Sequence, residues 1–312
     1  KLYSVFKQFS TLDMVDWLSQ RGVSTHMEED LRMFPSTDNS QTIIDCFLDQ
    51  CKKLNITIKT NWSLDQITQV GAKWLIKSTA ESLIADKVVI ATGSSPASWK
   101  TLQKVGFKIT NPVPSLFTFN IKDERINGLM GLTFPNASVK ITNTKLEESG
   151  PMLITHWGLS GPAILKLSSW SARELHQINY KFSILINFLG DLSPNKVRED
   201  LLVQKNNHPK RKITNYPIYD LPKRFWTQIC IYCGVDEEIP FGELPKKQAN
   251  KLVEELTQGL YSVNGKSTFK EEFVTSGGIK LSEVDLNTFE ARRFPGLYLA
   301  GEVLDIDALT GG

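Results

Sequence analysis

The chain has 312 residues, of which 41% are hydrophobic and 22% charged, values typical of a globular protein with about two domains. Its formal net charge is only +2, so it lacks the strongly basic footprint of a nucleic-acid-binding protein. No window approaches the ~18 apolar residues of a membrane span, and the first residues do not resemble a signal peptide. We therefore expect a cytoplasmic protein that binds neither nucleic acid nor membrane.

The first part of the chain alternates helical and strand patterns. Apolar spacing predicts helices over 11–21 and 42–54, and a strand over 56–60. After Lys87, the run 88–91 is continuously apolar and ends at Thr92 and Gly93. This pattern is typical of a parallel strand that is buried on both faces and opens into a loop at its carboxyl end.

The middle of the chain changes character. Short β-rich runs between 113 and 189, interrupted by a helix around 163–175, predict an antiparallel sheet or barrel. Helical patterns follow from 194 to about 261, and strand patterns return at 273–279 and 296–303. The order indicates one α/β sheet interrupted by a long insertion.

The two apolar runs that end in glycine carry the first functional signal. One closes at Thr92 and Gly93, and the other closes at Gly301, with Asp305 just beyond it. Ligands of open parallel sheets bind outside the carboxyl ends of the strands, where glycine lets the backbone approach a bulky cofactor. A carboxylate at this place accepts hydrogen bonds from sugar or ribityl hydroxyls. The pair of motifs therefore indicates one nucleotide site.

These residues resemble a known family of flavoproteins. Ala91-Thr-Gly is similar to the second FAD signature of two-dinucleotide-binding flavoproteins, and 301–312 resembles the C-terminal flavin motif of the YhiN-like (BaiN-like, aminoacetone-oxidase-like) NAD(P)/FAD-dependent family. Three further segments, 32–35, 155–162 and 275–279, are also similar to that family.

The resemblance implies an α/β fold, with a FAD/NAD(P)-binding domain that carries inserted β-barrel and helical domains. The FAD-binding domain would comprise 1–112 and 276–312. The β-barrel-like domain would comprise 113–192, completed by about 262–275, and the helical domain 193–261. The cofactor contacts implied for FAD are Leu64, Ala91, Thr92, Gly93, Gly301, Glu302, Asp305, Ile306 and Asp307.

The chain departs from the family at both ends. The family opens with a strand and G-x-G-x-x-G, which holds the pyrophosphate, and it continues beyond the double glycine at 311–312. Because the sequence contains neither part, we expect a fragment that binds FAD weakly or not at all.

The resulting functional prediction is a FAD-dependent oxidoreductase that transfers a hydride between a small-molecule substrate and flavin. NAD(P)H and oxygen are both open as redox partners, and the sequence does not indicate the oligomeric state. The alternative is a non-catalytic flavin-binding or partner-binding scaffold.

His156 is the candidate catalytic residue, because imidazole titrates near neutral pH and can donate a proton. The competing interpretation is a histidine hydrogen-bonded to loop backbone. Ser160 lies near it, but the spacing is not that of a hydrolase elbow, and we expect Ser160 to cap a helix that begins near Pro162.

Other reactive residue types have structural interpretations. Cys230 and Cys233 form a C-x-x-C without two further zinc ligands nearby, and their apolar surroundings favour buried thiols. The runs 147–148 and 236–238 are acidic but lack the spacing of a cation-binding loop. We expect no metal site.

Overall fold

A computed structural model describes residues 3–28, 32–267 and 274–306. These residues form two compact units, the first containing 3–111 and 277–306 and the second containing 112–276. Each unit has a hydrophobic core of its own. The second unit therefore interrupts the first in sequence.

The helices begin and end close to the predicted positions. The predicted helix at 11–21 is α2, whose N-cap Ser10 and Asp13 form a reciprocal capping box. The helices are α1 (Tyr3–Gln8), α2 (Thr11–Ser19), α3 (Gln41–Lys53), α4 (Pro96–Val105), α5 (Pro162–Trp170), α6 (Ala172–Gln177), α7 (Pro194–Asn207), α8 (Lys223–Tyr232) and α9 (Lys246–Gln258). Among the described residues, none of these helices has the length and apolar character needed to cross a bilayer.

The strands are mostly short. They are β1 (Thr25–Met27), β2 (Met33–Pro35), β3 (Gln66–Val70), β4 (Lys73–Lys77), β5 (Ser82–Ala85), β6 (Val88–Ile90), β7 (Ile109–Ser115), β8 (Thr118–Asn120), β9 (Thr133–Ile141), β10 (Glu147–Ile154), β11 (Gly158–Ser160), β12 (Lys181–Asn187), β13 (Gly259–Asn264), β14 (Lys266–Ser267), β15 (Val274–Ile279) and β16 (Leu297–Leu299).

The first unit is built around the parallel pair β6 and β16. An antiparallel sheet of order β3-β4-β5 and the helix α4 contribute to the same core, which is centred on buried residues such as Trp74, Trp99 and Leu299. A smaller cluster around Leu18 joins α2 to α3. The unit thus has the α/β architecture of a dinucleotide-binding fold.

The predicted strand at 56–60 is wrong. Asn55 turns the chain with a left-handed φ of 53°, and Ile56 and Ile58 stay exposed rather than forming a ladder. The following segment is fixed by side chains instead, since Lys59 and Trp62 both bind the carboxylate of Glu81. β-branched residues favour strands only where a pairing partner is present.

The second unit contains a closed antiparallel barrel. Its strand order is β13-β12-β9-β10-β11-β8-β14, and neighbouring strands in this order are antiparallel. β13 and β14 are one run of chain interrupted at Gly265, so the same segment pairs with β12 and with β8. The sheet therefore closes on itself, as a barrel must.

The helical region of the second unit packs on this barrel. Buried side chains of α7, α8 and α9 belong to the same cluster as those of β9, β10 and β12. The two inserted regions thus share one core, and the predicted boundary between them at 192–193 stays a prediction.

Candidate functional site

The carboxyl ends of β6 and β16 lie side by side. The strands are parallel and in register, with Val88 opposite Leu297 and Ile90 opposite Leu299. The ladder extends one residue further, because the Ala300 amide donates to the Ile90 carbonyl at 3.0 Å. The chain therefore leaves both strands at the same edge. We call 91–93 and 300–302 the strand-end turns.

Each strand-end turn contains a glycine that faces open space. Gly93 has a φ of +61° and Gly301 a φ of +75°, a left-handed conformation that side chains other than glycine rarely adopt. A Cβ added at either position would meet nothing within 4 Å. The backbone of both turns is thus accessible to a bulky ligand.

A helix begins directly beyond the first strand-end turn. The Ser95 side chain caps α4 by accepting from the Ser98 amide at 3.3 Å, and Pro96 occupies the first helical position. Strand, glycine turn and helix N-terminus follow one another here, the arrangement that favours negatively charged groups near a helix start.

The segment after the second strand-end turn is held from two sides. The indole N–H of Trp99, in α4, donates to the Val303 carbonyl at 3.0 Å in the core. The Asp305 amide donates to the Ile279 carbonyl at 2.8 Å, and Thr110 Oγ1 donates to Asp305 Oδ2 at 2.5 Å. The Asp305 carboxylate therefore has a fixed position within this unit.

The structure brings most of the predicted cofactor contacts together. Ala91, Thr92 and Gly93 form one strand-end turn, Gly301 and Glu302 belong to the other, and Asp305 and Ile306 continue from it. Leu64 is half-buried against the core of the same unit, and its contact with adenine stays a prediction. Asp307 lies outside the described residues.

Sequence reasoning missed Thr110. It lies 195 positions from Asp305, and a lone threonine in a strand gives no signal of such a contact.

Comparison with known proteins identifies the family. The model of the family described as "HI0933-like protein Rossmann domain" matches residues 1–312 of this chain. The chain belongs to the HI0933-like family. It is 28% identical to the ribosomal RNA dihydrouridine synthase of Escherichia coli (strain K12), over 99% of this chain and 76% of that protein.

Two other relatives are more distant. The ribosomal RNA dihydrouridine synthase of Haemophilus influenzae is 22% identical, over 99% of this chain and 77% of that protein. The 3-dehydro-bile acid delta(4,6)-reductase of Clostridium scindens is 21% identical, over 99% of this chain and 78% of that protein. The HI0933-like chain is thus similar to proteins with two different named substrates.

His156 lies in the second unit of this HI0933-like chain, at the exposed tip of the turn between β10 and β11. The turn is fixed by backbone bonds, with the Thr155 amide donating to the Gly158 carbonyl at 2.8 Å and the Ile121 amide to the Trp157 carbonyl at 2.9 Å. The His156 side chain is exposed to solvent. Its catalytic role stays a prediction.

Ser160 does not cap α5, which corrects the prediction. The N-cap is Gly161, without a side-chain cap, and the helix begins at Pro162 as expected. Ser160 instead ends β11, and its hydroxyl accepts from Thr118 Oγ1 at 3.1 Å. A strand leads into the turn at Ser160, but the serine hydroxyl is hydrogen-bonded to a threonine rather than to a histidine.

A buried arginine anchors the segment beside this turn. Arg125 is 5% exposed and forms ion pairs of 2.6 Å with both Asp123 and Glu255. It also donates to the Leu260 carbonyl and lies 3.7 Å from the centre of the Tyr261 ring.

The pKa shifts follow from this pairing. Burial alone would lower the pKa of Arg125, but Asp123, Tyr261 and Glu255 together raise it. Burial would likewise raise the pKa of Asp123, and the hydrogen bonds from Arg125 outweigh that and lower it. Both groups therefore stay charged. Sequence reasoning missed this cluster, because an Asp-x-Arg on the chain gives no sign that it is buried.

The cysteine pair is buried next to the same cluster. Cys230 and Cys233 are both free and buried, and burial raises the pKa of the Cys233 thiol to about 12. A thiol so rarely ionised is a poor nucleophile and metal ligand, which agrees with the structural interpretation. Among the described residues, no cluster of three or more histidine, cysteine or acidic side chains is arranged to bind a metal ion.

Proposed function

We propose that this chain belongs to a FAD-dependent oxidoreductase that transfers a hydride between a small molecule and flavin. The observation that carries the proposal is the adjacency of the strand-end turns, with Gly93 and Gly301 both left-handed and both facing open space. Two such turns at one sheet edge suit the extended backbone of a dinucleotide, which needs close approach to main chain over a long stretch.

The residues present fit FAD. Thr92 and Gly93 would lie along the cofactor, and the fixed carboxylate of Asp305 would accept hydrogen bonds from ribityl hydroxyls. Glu302 and Ile306 would line the remainder of the site. When bound, FAD would supply two-electron hydride chemistry, and the protein would supply binding, orientation and exclusion of water.

We further propose that the substrate contains a carbon–carbon double bond conjugated with a carbonyl. The names of the relatives support this class: dihydrouridine is uridine with the ring double bond beside a carbonyl saturated, and a 3-dehydro-bile acid with 4,6 unsaturation is a conjugated ketone. Reduction adds a hydride to the carbon β to the carbonyl and a proton to the α carbon, and the hydride carrier loses two electrons. NAD(P)H is proposed as the source of those electrons.

The test compares glycine variants that all have a left-handed backbone and so impose similar strain. Gly93→Ala and Gly301→Ala each place a Cβ at a strand-end turn, whereas Gly71→Ala places one in the β3–β4 turn, where φ is also +61° and the space is also open. Protein expressed from the complete gene is purified, and flavin is measured by visible absorbance. We expect the first two variants to bind FAD about tenfold or more weakly, a loss of ~1.4 kcal/mol, and the control to retain it.

Equal flavin content in all three variants would contradict the proposed site. A scaffold without activity is distinguished by a second measurement. The bound flavin is reduced anaerobically with NADPH and then mixed with an unsaturated carbonyl compound. An enzyme returns the flavin to its oxidised spectrum in proportion to the compound added, whereas a flavin-binding scaffold does not.

A further inference from the structure

A groove with a volume of about 380 Å³ lies between α7 and α9 in the second unit. We call it the α7–α9 groove. Its apolar lining consists of Leu201, Leu202, Leu244 and Ala249. Leu201 and Leu244 are buried members of the core and form the floor, whereas Leu202 is 56% exposed on the wall. All of the described lining residues belong to the second unit, so the groove is a site separate from the strand-end turns.

The rim of the groove has a surplus of positive charge. Of the described residues that line it, Arg198, Lys205 and Lys246 are cationic and Glu199 is anionic. Lys205 donates to the Leu244 carbonyl at 3.2 Å, which is a neutral partner. Within the described part of the chain, none of the three cations forms an ion pair with a carboxylate. Their charge is therefore not compensated by the protein.

A second and more polar cavity, of about 640 Å³, continues the groove toward the start of α7 and the end of α9. Arg198, Lys246 and Asn250 line both spaces and therefore mark the boundary between them. Arg198 is oriented at this boundary by amide oxygens, since it donates to Asn195 at 2.8 Å and to Asn250 at 3.4 Å. Both partners are neutral, so the guanidinium keeps its charge for an anion.

This arrangement favours a ligand that is both apolar and anionic. A hydrocarbon chain would cover the leucines of the groove, because burial of methylene groups is favourable. A small polar anion would leave Leu202 exposed, and a cation would be repelled by the rim. The volume of about 380 Å³ falls in the range of small-molecule sites, roughly 300–1,000 Å³.

The position of the negative group follows from the polar cavity. Glu254 lines that cavity but not the groove, so its carboxylate would repel an anion placed beyond the boundary. The boundary itself has two cations, Arg198 and Lys246. An anionic head group is therefore most stable there, with its chain directed away from Glu254.

We propose that the α7–α9 groove binds an unbranched alkyl carboxylate, that is, a free fatty acid of medium length. The hydrocarbon chain lies on Leu201 and Leu244 beside Leu202, and the carboxylate accepts hydrogen bonds from Arg198 and Lys246. The inference concerns binding alone and does not depend on the proposed function.

The test is isothermal titration calorimetry of protein from the complete gene with octanoate, decanoate and dodecanoate, each below its critical micelle concentration. We expect saturable binding that tightens about fourfold for each two methylenes added, because a groove open to solvent on one side buries about half of each methylene.

Two pairs of neighbouring residues supply matched variants. Leu202 and Val203 are both exposed on α7, but Val203 does not line the groove. Lys246 and Lys247 are both exposed on α9, and Lys247 does not line it. We expect Leu202→Asn to weaken decanoate binding about tenfold and Lys246→Gln about fivefold. Val203→Asn and Lys247→Gln should bind decanoate as the parent does, and circular dichroism checks that all four variants are folded.

Four results would overturn the inference. They are no saturable binding of any of the three carboxylates, the same affinity in each lining variant as in its neighbouring control, tighter binding of a steroid carboxylate than of dodecanoate, and binding of a helical peptide rich in leucine and glutamate without binding of decanoate. The last result would assign the groove to a protein partner.

Discussion

Arg125 shows how one side chain can fix a surface without being part of it. Its guanidinium neutralises two carboxylates inside the second unit while the preceding residue, Glu124, stays exposed. Replacing it leaves Asp123 and Glu255 close together without their cation. Arg125 thus ties the segment that follows β8 to α9 and β13.

We expect Arg125→Met to lower the free energy of unfolding by about 3–5 kcal/mol, the usual cost of removing one partner from a buried ion pair. Urea denaturation followed by circular dichroism measures the change. The control is Lys59→Met, which removes the cation from an exposed pair with Glu81 and should have a much smaller effect on the free energy of unfolding. Equal losses of unfolding free energy in the two variants would show that the ion pairs of Arg125 stabilise the second unit no more than an exposed pair does.

At the scale of elements, the turn between β10 and β11 depends on one glycine. Gly158 has a φ of +147°, and a Cβ added to it would collide with the Phe119 carbonyl and lie 2.5 Å from the Ile121 amide. Both atoms belong to backbone, so neither can move without breaking the pairing of β11 with β8. The position of His156 therefore depends on close contact between two strands.

Gly158→Ala should lower the free energy of unfolding by about 3 kcal/mol or more, since overpacking adds to backbone strain. Gly131→Ala is the matched control, because its φ of +85° imposes similar strain but its Cβ would meet nothing within 4 Å. We expect the control to cost about 1 kcal/mol. Thermal and urea unfolding compare the two, and equal losses would mean that the close approach is relieved by local movement.

Helices and strands were predictable from the sequence where a local pattern of residues is sufficient to determine them. The runs that became β6 and β16 are continuously apolar and end in glycine, so both the strands and their shared edge follow from the sequence. The segment 56–60 has strand-forming residues, but a strand also needs a neighbour, which only the tertiary structure supplies. Ser160 was misassigned because the residue after it, Gly161, takes the cap position.

The candidate site was predictable where sequence motifs form it and was not predictable where distant segments meet. Motifs identified the strand-end turns, because a cofactor that approaches backbone requires glycine at fixed places. Thr110 and the buried cluster around Arg125 were not predictable, because their partners Asp305 and Glu255 lie far away in the sequence.

At the scale of the whole molecule, the second unit is a continuous stretch of chain with its own core. A continuous segment that buries its own apolar residues should fold without the rest. We therefore expect a protein consisting of residues 112–276 to unfold cooperatively in urea and to show fixed near-ultraviolet circular dichroism. A gradual transition with strong dye binding would indicate that the unit needs the first one to fold.

The run of chain that contains β13, Gly265 and β14 protects the barrel from pairing with strands of other proteins. Exposed strand edges recruit other chains, because their amides and carbonyls act as a template for further pairing. Here one stretch of chain supplies the partner for both β12 and β8, so among the described strands of the barrel the closed sheet gives a neighbouring polypeptide no such template. A barrel closed in this way can be inserted into another domain, or be present at high concentration, without its strands pairing with those of other chains and starting aggregation.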